Sequence, residues 1–284
     1  MSRFVPLHRL AAGALFAALV LAGPASAQTV TLADLTFPVR DGQQLVVDVG
    51  SGSVVVETTA SGEAEVVVTG RGRNARADFE RLRFTAAVRD GRLVVRTDPR
   101  QANMRGNQTQ FSYTVRIPRR FDATIDTGSG SVRVGALDGD LSVDTGSGSV
   151  RLGDVRGDVS VDTGSGSVDA GRITGELAVD TGSGSVEVAE QNGPARIDTG
   201  SGSVSVTLGR VGALAVDTGS GSVRIGLPRG SDADVAVSGS SVRIDEALAF
   251  SGRNARGEAT GRLGSGGARI AVETGSGTIT FSSR

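Results

Sequence analysis

Residue types that most enzymes depend on are missing here. The 284-residue chain has no cysteine and no tryptophan, and inspection shows that all 30 of its basic residues are arginine. Its single histidine, His8, falls in a segment expected to be removed. The remainder offers no imidazole, thiol or amine side chain. Serine–histidine and cysteine–histidine nucleophile pairs are therefore impossible, as are the usual zinc sites and a phosphate loop, which needs lysine. Carboxylates are the only catalytic groups left. Formal net charge is −1, so no basic field directs the chain to nucleic acid. Aromatics are 4% of the residues and glycine numbers 42, so a core must come from Val, Leu, Ile and Ala.

The first residues read as a secretory signal. Arg3 and Arg9 supply positive charge, Leu10 to Ala22 is apolar, and Ala25-Ser26-Ala27 follows Pro24. That order predicts cleavage before Gln28. The apolar run is shorter than the roughly 20 residues a membrane span needs, and no cysteine is present to carry a lipid. The mature chain is expected outside the cytoplasm, in the periplasm, at the cell surface or secreted, with no transmembrane segment after cleavage.

An internal repeat dominates the rest. The heptapeptide D-T-G-S-G-S-V begins at Asp126, Asp144, Asp162, Asp180, Asp198 and Asp217, at spacings of 18, 18, 18, 18 and 19. Diverged copies occur at Asp48 to Val54, at Ser238 to Val242 and at Glu273 to Ile279. Aliphatics alternate at period two around each copy, as with Leu141 and Val143 before it and Val150 and Leu152 after it. Half-buried strands alternate in this way and flexible Gly-Ser linkers do not.

Each unit is thus expected to be a strand of about five residues, a tight Thr-Gly-Ser-Gly turn using glycine's freedom at positive φ, and a second strand. A looser turn follows, such as Gly153 to Gly157. Leu141, Val143, Val150, Leu152 and Val155 would point inward. These five positions do not fall on one phase of six, which disfavours a left-handed β-helix built of hexapeptides. The predicted fold is all-β, a right-handed parallel β-solenoid of 18-residue coils. The predicted organisation is a signal peptide over 1–27, an N-terminal β capping region with the first unit over 28–125, the repeat array over 126–244, and capping strands over 245–284. In the N-terminal region Arg89-Asp90-Gly91-Arg92 marks a hairpin, and Phe111 to Ile117 a strand stopped by Pro118. Most of the phenylalanines fall there, which suggests a denser core.

At this point the chain resembles the bacterial β-strand-repeat proteins known as adhesin-like, a domain family of unknown function. The likeness rests on the signal peptide, the early G-S-G at Gly50, the segment ending Val115-Arg116-Ile117-Pro118, the stacked T-G-S-G-S-V units and the closing Thr274-Gly275-Ser276-Gly277. It implies an extracytoplasmic right-handed solenoid with an adhesive role. It supplies no catalytic residues.

Asp126-Thr127-Gly128-Ser129 and Asp198-Thr199-Gly200-Ser201 match the signature of pepsin-like proteases. That chemistry needs two carboxylates set apart on one water, and here six equivalent copies recur at fixed pitch. Asp126, Asp144, Asp162, Asp180, Asp198 and Asp217 are instead expected to stack as an exposed ladder, each closing a turn onto the backbone N–H two residues on. They are the candidate ligand-contacting residues, and calcium is the cation their oxygen ligands would suit. The outward positions Arg133, Arg151, Asp169, Glu187, Ser205, Arg224 and Arg243 mix signs and read as a solvated face. The chain therefore reads as a non-enzymatic protein of the envelope or exterior, presenting an adhesive or scaffolding surface to a surface glycan or envelope protein. The alternative is a polysaccharide-acting β-helix enzyme using Asp169, Glu187 and nearby arginines. A sugar cleft is usually lined with aromatics, and residues 122–249 contain none.

Overall fold

Period-two alternation decides which side chains enter the core. A computed structural model describes residues 29–98, 109–255 and 257–284; the predicted signal segment lies outside these. Strand Leu141–Ser147 buries Leu141 and Val143 and turns Ser142 and Asp144 outward. Strand Val150–Leu152 buries both valine and leucine around an exposed Arg151, and Val155 is buried at the following bend. All five predicted inward positions are therefore in the core.

The alternation runs further than the expected five residues. Thr145 is fully buried and the strand continues to Ser147, so the Thr-Gly-Ser-Gly turn is confined to its last glycine and the serine that follows. Threonine continues the inward phase of Leu141 and Val143. From Thr145 onward its hydroxyl is satisfied across the stack, though Thr127 Oγ1 is not: Thr181 Oγ1 donates to Gly166 O (3.2 Å), Thr199 to Gly184 O (3.1 Å) and Thr218 to Gly202 O (3.1 Å). Each such bond contributes about 1 kcal/mol.

Glycine in these units answers crowding more than backbone sign. Within the six heptapeptides only Gly130 (φ 145°) and Gly148 (φ 158°) have positive φ. A Cβ on Gly164 would sit 2.7 Å from Gly146 O, and one on Gly166 would collide outright with Gly148 O. Successive coils approach too closely there for any side chain.

The strands form two stacks, the first in a 13-stranded and the second in a 14-stranded sheet. In the first stack Leu141 pairs with Val159, Val159 with Leu177 and Leu177 with Ala195, all parallel and each 18 residues on. In the second, Val132, Val150, Val168, Val186 and Val204 pair in turn. The buried faces of both sheets belong to one continuous core. At the bend Leu137, Val155 and Ile173 stack, and then Gln191 takes the same place, fully buried. Its amide donates to Gly175 O and Pro194 O (both 2.9 Å), and the register shifts beside it, just before the 19-residue spacing.

The stacking order departs from chain order at both ends. Gln43–Val49 pairs directly with Phe121–Thr127 and Ser53–Thr59 with Val132–Val134, so the chain between Thr59 and Phe121 adds its strands outside this first coil. There Gln110–Pro118 extends the larger sheet, followed by antiparallel Glu63–Arg71 and then by Thr29–Pro38, which precedes the first coil in sequence. Thr85–Arg89 and Arg92–Arg96 form the expected hairpin, with Asp90 at φ 49° and Gly91 at φ 74°. A helix the repeat pattern did not reveal, Ala75–Arg81, lies between Glu63–Arg71 and this hairpin, with Phe79, Phe84, Phe111 and Tyr113 in ring contact.

At the other end Ala268–Ser276 lies between Leu214–Ser220 and Ala233–Ser238. The Ser238 unit is therefore stacked outside the Glu273 unit that follows it in sequence. The glycine-rich run from Ser251 to Gly267 is largely a hairpin, Phe250–Ala255 on Glu258–Leu263. Asp245 ties this end down: it accepts from Ser283 Oγ (2.7 Å), Ser283 N (3.0 Å) and Ala247 N (3.0 Å). These bonds, the Ser283 hydroxyl foremost, hold its carboxyl down at about 2. A carboxyl lowered on folding stabilises fully above its unfolded value near ~3.9 and loses that contribution as pH falls through the folded value. Asp245→Asn is expected to speed hydrogen exchange in strand Thr278–Ser283 at pH 6, with the difference fading as pH approaches about 2. An equal difference at both pH values would remove the carboxylate from that role.

Candidate functional site

The predicted ladder exists and is longer than expected. Asp48, Asp126, Asp144, Asp162, Asp180, Asp198, Asp217 and Glu273 stand in direct register on one face. Each follows a buried aliphatic and so points outward. Adjacent members are about 4.8 Å apart along the stack. Asp126 and Asp198 are four steps apart, roughly 19 Å, so they cannot share one water. Among the described residues the ladder is uncompensated over most of its length: Arg96 reaches Asp48 (3.4 Å) at one end and Arg196 reaches Asp198 (3.8 Å). Burial, then Asp144 and Asp48, push the Asp126 carboxyl up.

The expected Asx closure of the turn is not what holds these units, whose cross-coil side-chain bond comes from threonine. The side-chain-to-backbone role belongs instead to a second acidic column. Asp122 Oδ1 accepts from Asp140 N (2.9 Å), Asp140 Oδ1 from Asp158 N (2.9 Å) and Asp158 Oδ1 from Glu176 N (2.8 Å). The series stops where Pro194 has no N–H to offer. The signal was present in the sequence: an acid immediately precedes the first inward residue in Asp140-Leu141, Asp158-Val159 and Glu176-Leu177. Between the two acidic columns lies a shallow groove of about 400 Å³, floored by Thr124, Ser142, Ser160 and Ala178.

The opposite face carries the predicted outward series. Arg133, Arg151, Asp169, Glu187, Ser205 and Arg224 are in register, with Thr280 between Arg224 and Arg243. Asp169 and Glu187 are adjacent and exposed on an open sheet face. Beside this column Arg116 is clasped by Glu57 (2.8 Å) and Glu65 (2.6 Å), which raise its pKa. Arg172 likewise lies between Glu190 (3.2 Å) and Asp154 (4.0 Å). Among the described residues, no three Asp or Glu side chains converge as a metal-binding group.

This two-faced stack of near-identical coils can be compared with known proteins. The profile of one domain family, Toastrack DUF4097, matches residues 43–282. The chain belongs to the Toastrack family. The resemblance to adhesin-like repeat proteins leads to the same place. The crystal structure of a candidate adhesin from Bacteroides fragilis is similar to this Toastrack chain, with a TM-score of 0.52 at 13% identity over 90% of this chain and 98% of that one. A candidate adhesin from Parabacteroides distasonis has a TM-score of 0.46 at 13% identity, covering 90% and 97%. A candidate lipid-binding protein from the same species has 0.46 at 14%, covering 88% and 96%. No curated protein matches. Among the described residues no helix is long and apolar enough to cross a membrane.

Proposed function

We propose that this chain is an exported, non-enzymatic protein of the cell envelope or exterior whose long sheet faces serve adhesion or scaffolding. The observation that carries the reading is the equivalence of the coils. Carboxylates of the ladder repeat in register without one pair being set apart. Equivalent copies suit a surface that binds weakly at each step and gains strength by repetition. We further propose right-handed coils of 18 residues, which the crossover preference favours, cleavage after Ala27, and a surface glycan or envelope protein as partner. No resident cofactor is needed, and calcium is the ion whose ligand chemistry would suit the ladder.

Deleting one unit, Asp162 to Val179, joins Val161 to Asp180 in unchanged register. The shortened chain is expected to fold and to keep most of its binding to bacterial cells and glycan arrays, reduced in proportion to coil number. The comparison uses the chain recovered from extracytoplasmic fractions, whose mass should begin at Gln28. Turnover of casein or polyuronate by the intact chain, abolished by the deletion or by Asp198→Asn, would instead make it an enzyme.

A further inference from the structure

Several charges on the second sheet face are matched across strands. Arg116 lies between Glu57 and Glu65, Arg172 between Asp154 and Glu190, and Asp138 between Arg119 (3.1 Å) and Arg156 (3.5 Å). Each charge in those columns meets its opposite on neighbouring strands. Arg133 has no acid opposite it, and Arg151, with Asp169 opposite on its other side, makes no ion pair with that acid. The two arginines are directly paired in register, side by side at about 4.8 Å, and both are exposed. Among the described residues neither has an ion-pair partner. On the far side of Arg133 stands Val55, and Glu57 nearby is already held by Arg116.

Like charges directly opposite each other destabilise a sheet, so this pair, like Asp169 and Glu187 further along the column, costs stability. It also borders an open groove of about 430 Å³. Gly135 and Gly153 provide its floor, leaving the strip beside the two guanidiniums free of side chains. Their backbone N–H groups are used within the sheet, by Val56 O and Val134 O (both 2.8 Å), so the arginines are the donors that remain. Asp169 and Glu187 follow in the same column, and Glu57 closes the other end of the groove. An anion is repelled on either side and attracted at the centre.

We propose that Arg133 and Arg151 form a binding site for one oxyanion group of an acidic polysaccharide, such as a uronate carboxylate. Two adjacent guanidiniums present paired N–H donors, the geometry that suits carboxylate oxygens. The glycine floor leaves room for the sugar ring that carries the group. The proposal rests on the adhesive reading above and gives it a ligand class. It also predicts one anchor on this face, while the ladder face repels the same polymer.

Polygalacturonate oligomers are the probe, with uncharged dextran oligomers as the comparison and inorganic phosphate and sulfate as competitors. Affinity for polygalacturonate is expected to fall about tenfold in Arg133→Gln or Arg151→Gln and further in the double variant. It should weaken with added salt. Arg224→Gln, on the same column but away from the groove, should bind as the parent does. Both single variants should melt no lower than the parent, because the like-charge contact is relieved, so lost binding cannot be ascribed to lost folding. The same variants are also scored for attachment to whole bacterial cells. Cell attachment and polygalacturonate binding both undiminished in the double variant would overturn this site while leaving the adhesive reading in place. Failure of the parent to bind polygalacturonate would also overturn it. Failure to attach to any cell or glycan would remove the adhesive reading itself.

Discussion

Val161→Asp is expected to unfold the central coils, whereas Asp162→Asn, one residue along, leaves the melting temperature within about 2 °C of the parent. Val161 is 2% exposed and Asp162 faces solvent. A carboxylate at 161 would enter a core whose neighbours in register are Val143 and Val179, with no donor to receive it. The cost is about 4 kcal/mol or more, and it falls on two interfaces at once because every coil is stabilised by both its neighbours. Asp162→Asn instead removes one charge between Asp144 and Asp180. Thermal melts followed by circular dichroism give the ranking. The reverse order would mean that inward and outward positions had been exchanged along the strand.

The second large effect concerns glycine. Gly166→Ala adds a single methyl group, yet that group would be driven into the carbonyl oxygen of Gly148. The obstacle is backbone of the coil beneath, which cannot rotate away as a flexible side chain could. Parting the two coils enough to admit it would weaken the Thr163 bond to Gly148 O and the strand pairing around it. A loss of roughly 3 kcal/mol is expected. Gly62→Ala serves as control, since a methyl there meets nothing within 4 Å, and should change stability by no more than about 0.5 kcal/mol. Urea midpoints measure both. Equal shifts for the two variants would show that crowding between coils does not dictate the repeat's glycines.

The sequence makes the repeat legible because burial in a strand has period two, and Leu141, Val143, Val150 and Leu152 obey it. The same phase, carried one step further, includes Thr145. It was misassigned to a turn because Thr-Gly-Ser-Gly has the composition of one, and because a buried hydroxyl needs a partner that only the neighbouring coil supplies. The Asp122, Asp140, Asp158 column was legible in spacing but not in role, since its acceptors serve N–H groups 18 residues away. Helix Ala75–Arg81 stands outside the repeat and shows no repeat signal. The unpaired arginines were visible as residues and read as part of a mixed face. What distinguishes them is that they stand directly opposite each other beside the Gly135 and Gly153 strip, a fact of register rather than of composition.

The insertion of Ala268–Ser276 beneath Ala233–Ser238 bears on how the array assembles. Growth by adding each coil to the one before it would place Ala233–Ser238 directly on Leu214–Ser220, where its alternating Val235 and Val237 find matching aliphatics. Such a stack would be a competing arrangement, shorter by one layer, open to the chain before residues 268–283 are available. One interior position that tells the two apart is polar. Thr274 donates to Gly221 O (2.9 Å), whereas the Ser238 unit offers Gly239 at the corresponding point and leaves that carbonyl without its side-chain donor. One hydroxyl thus works as a sorting mark among near-identical strands, biasing a late segment into a layer that an earlier one could have occupied.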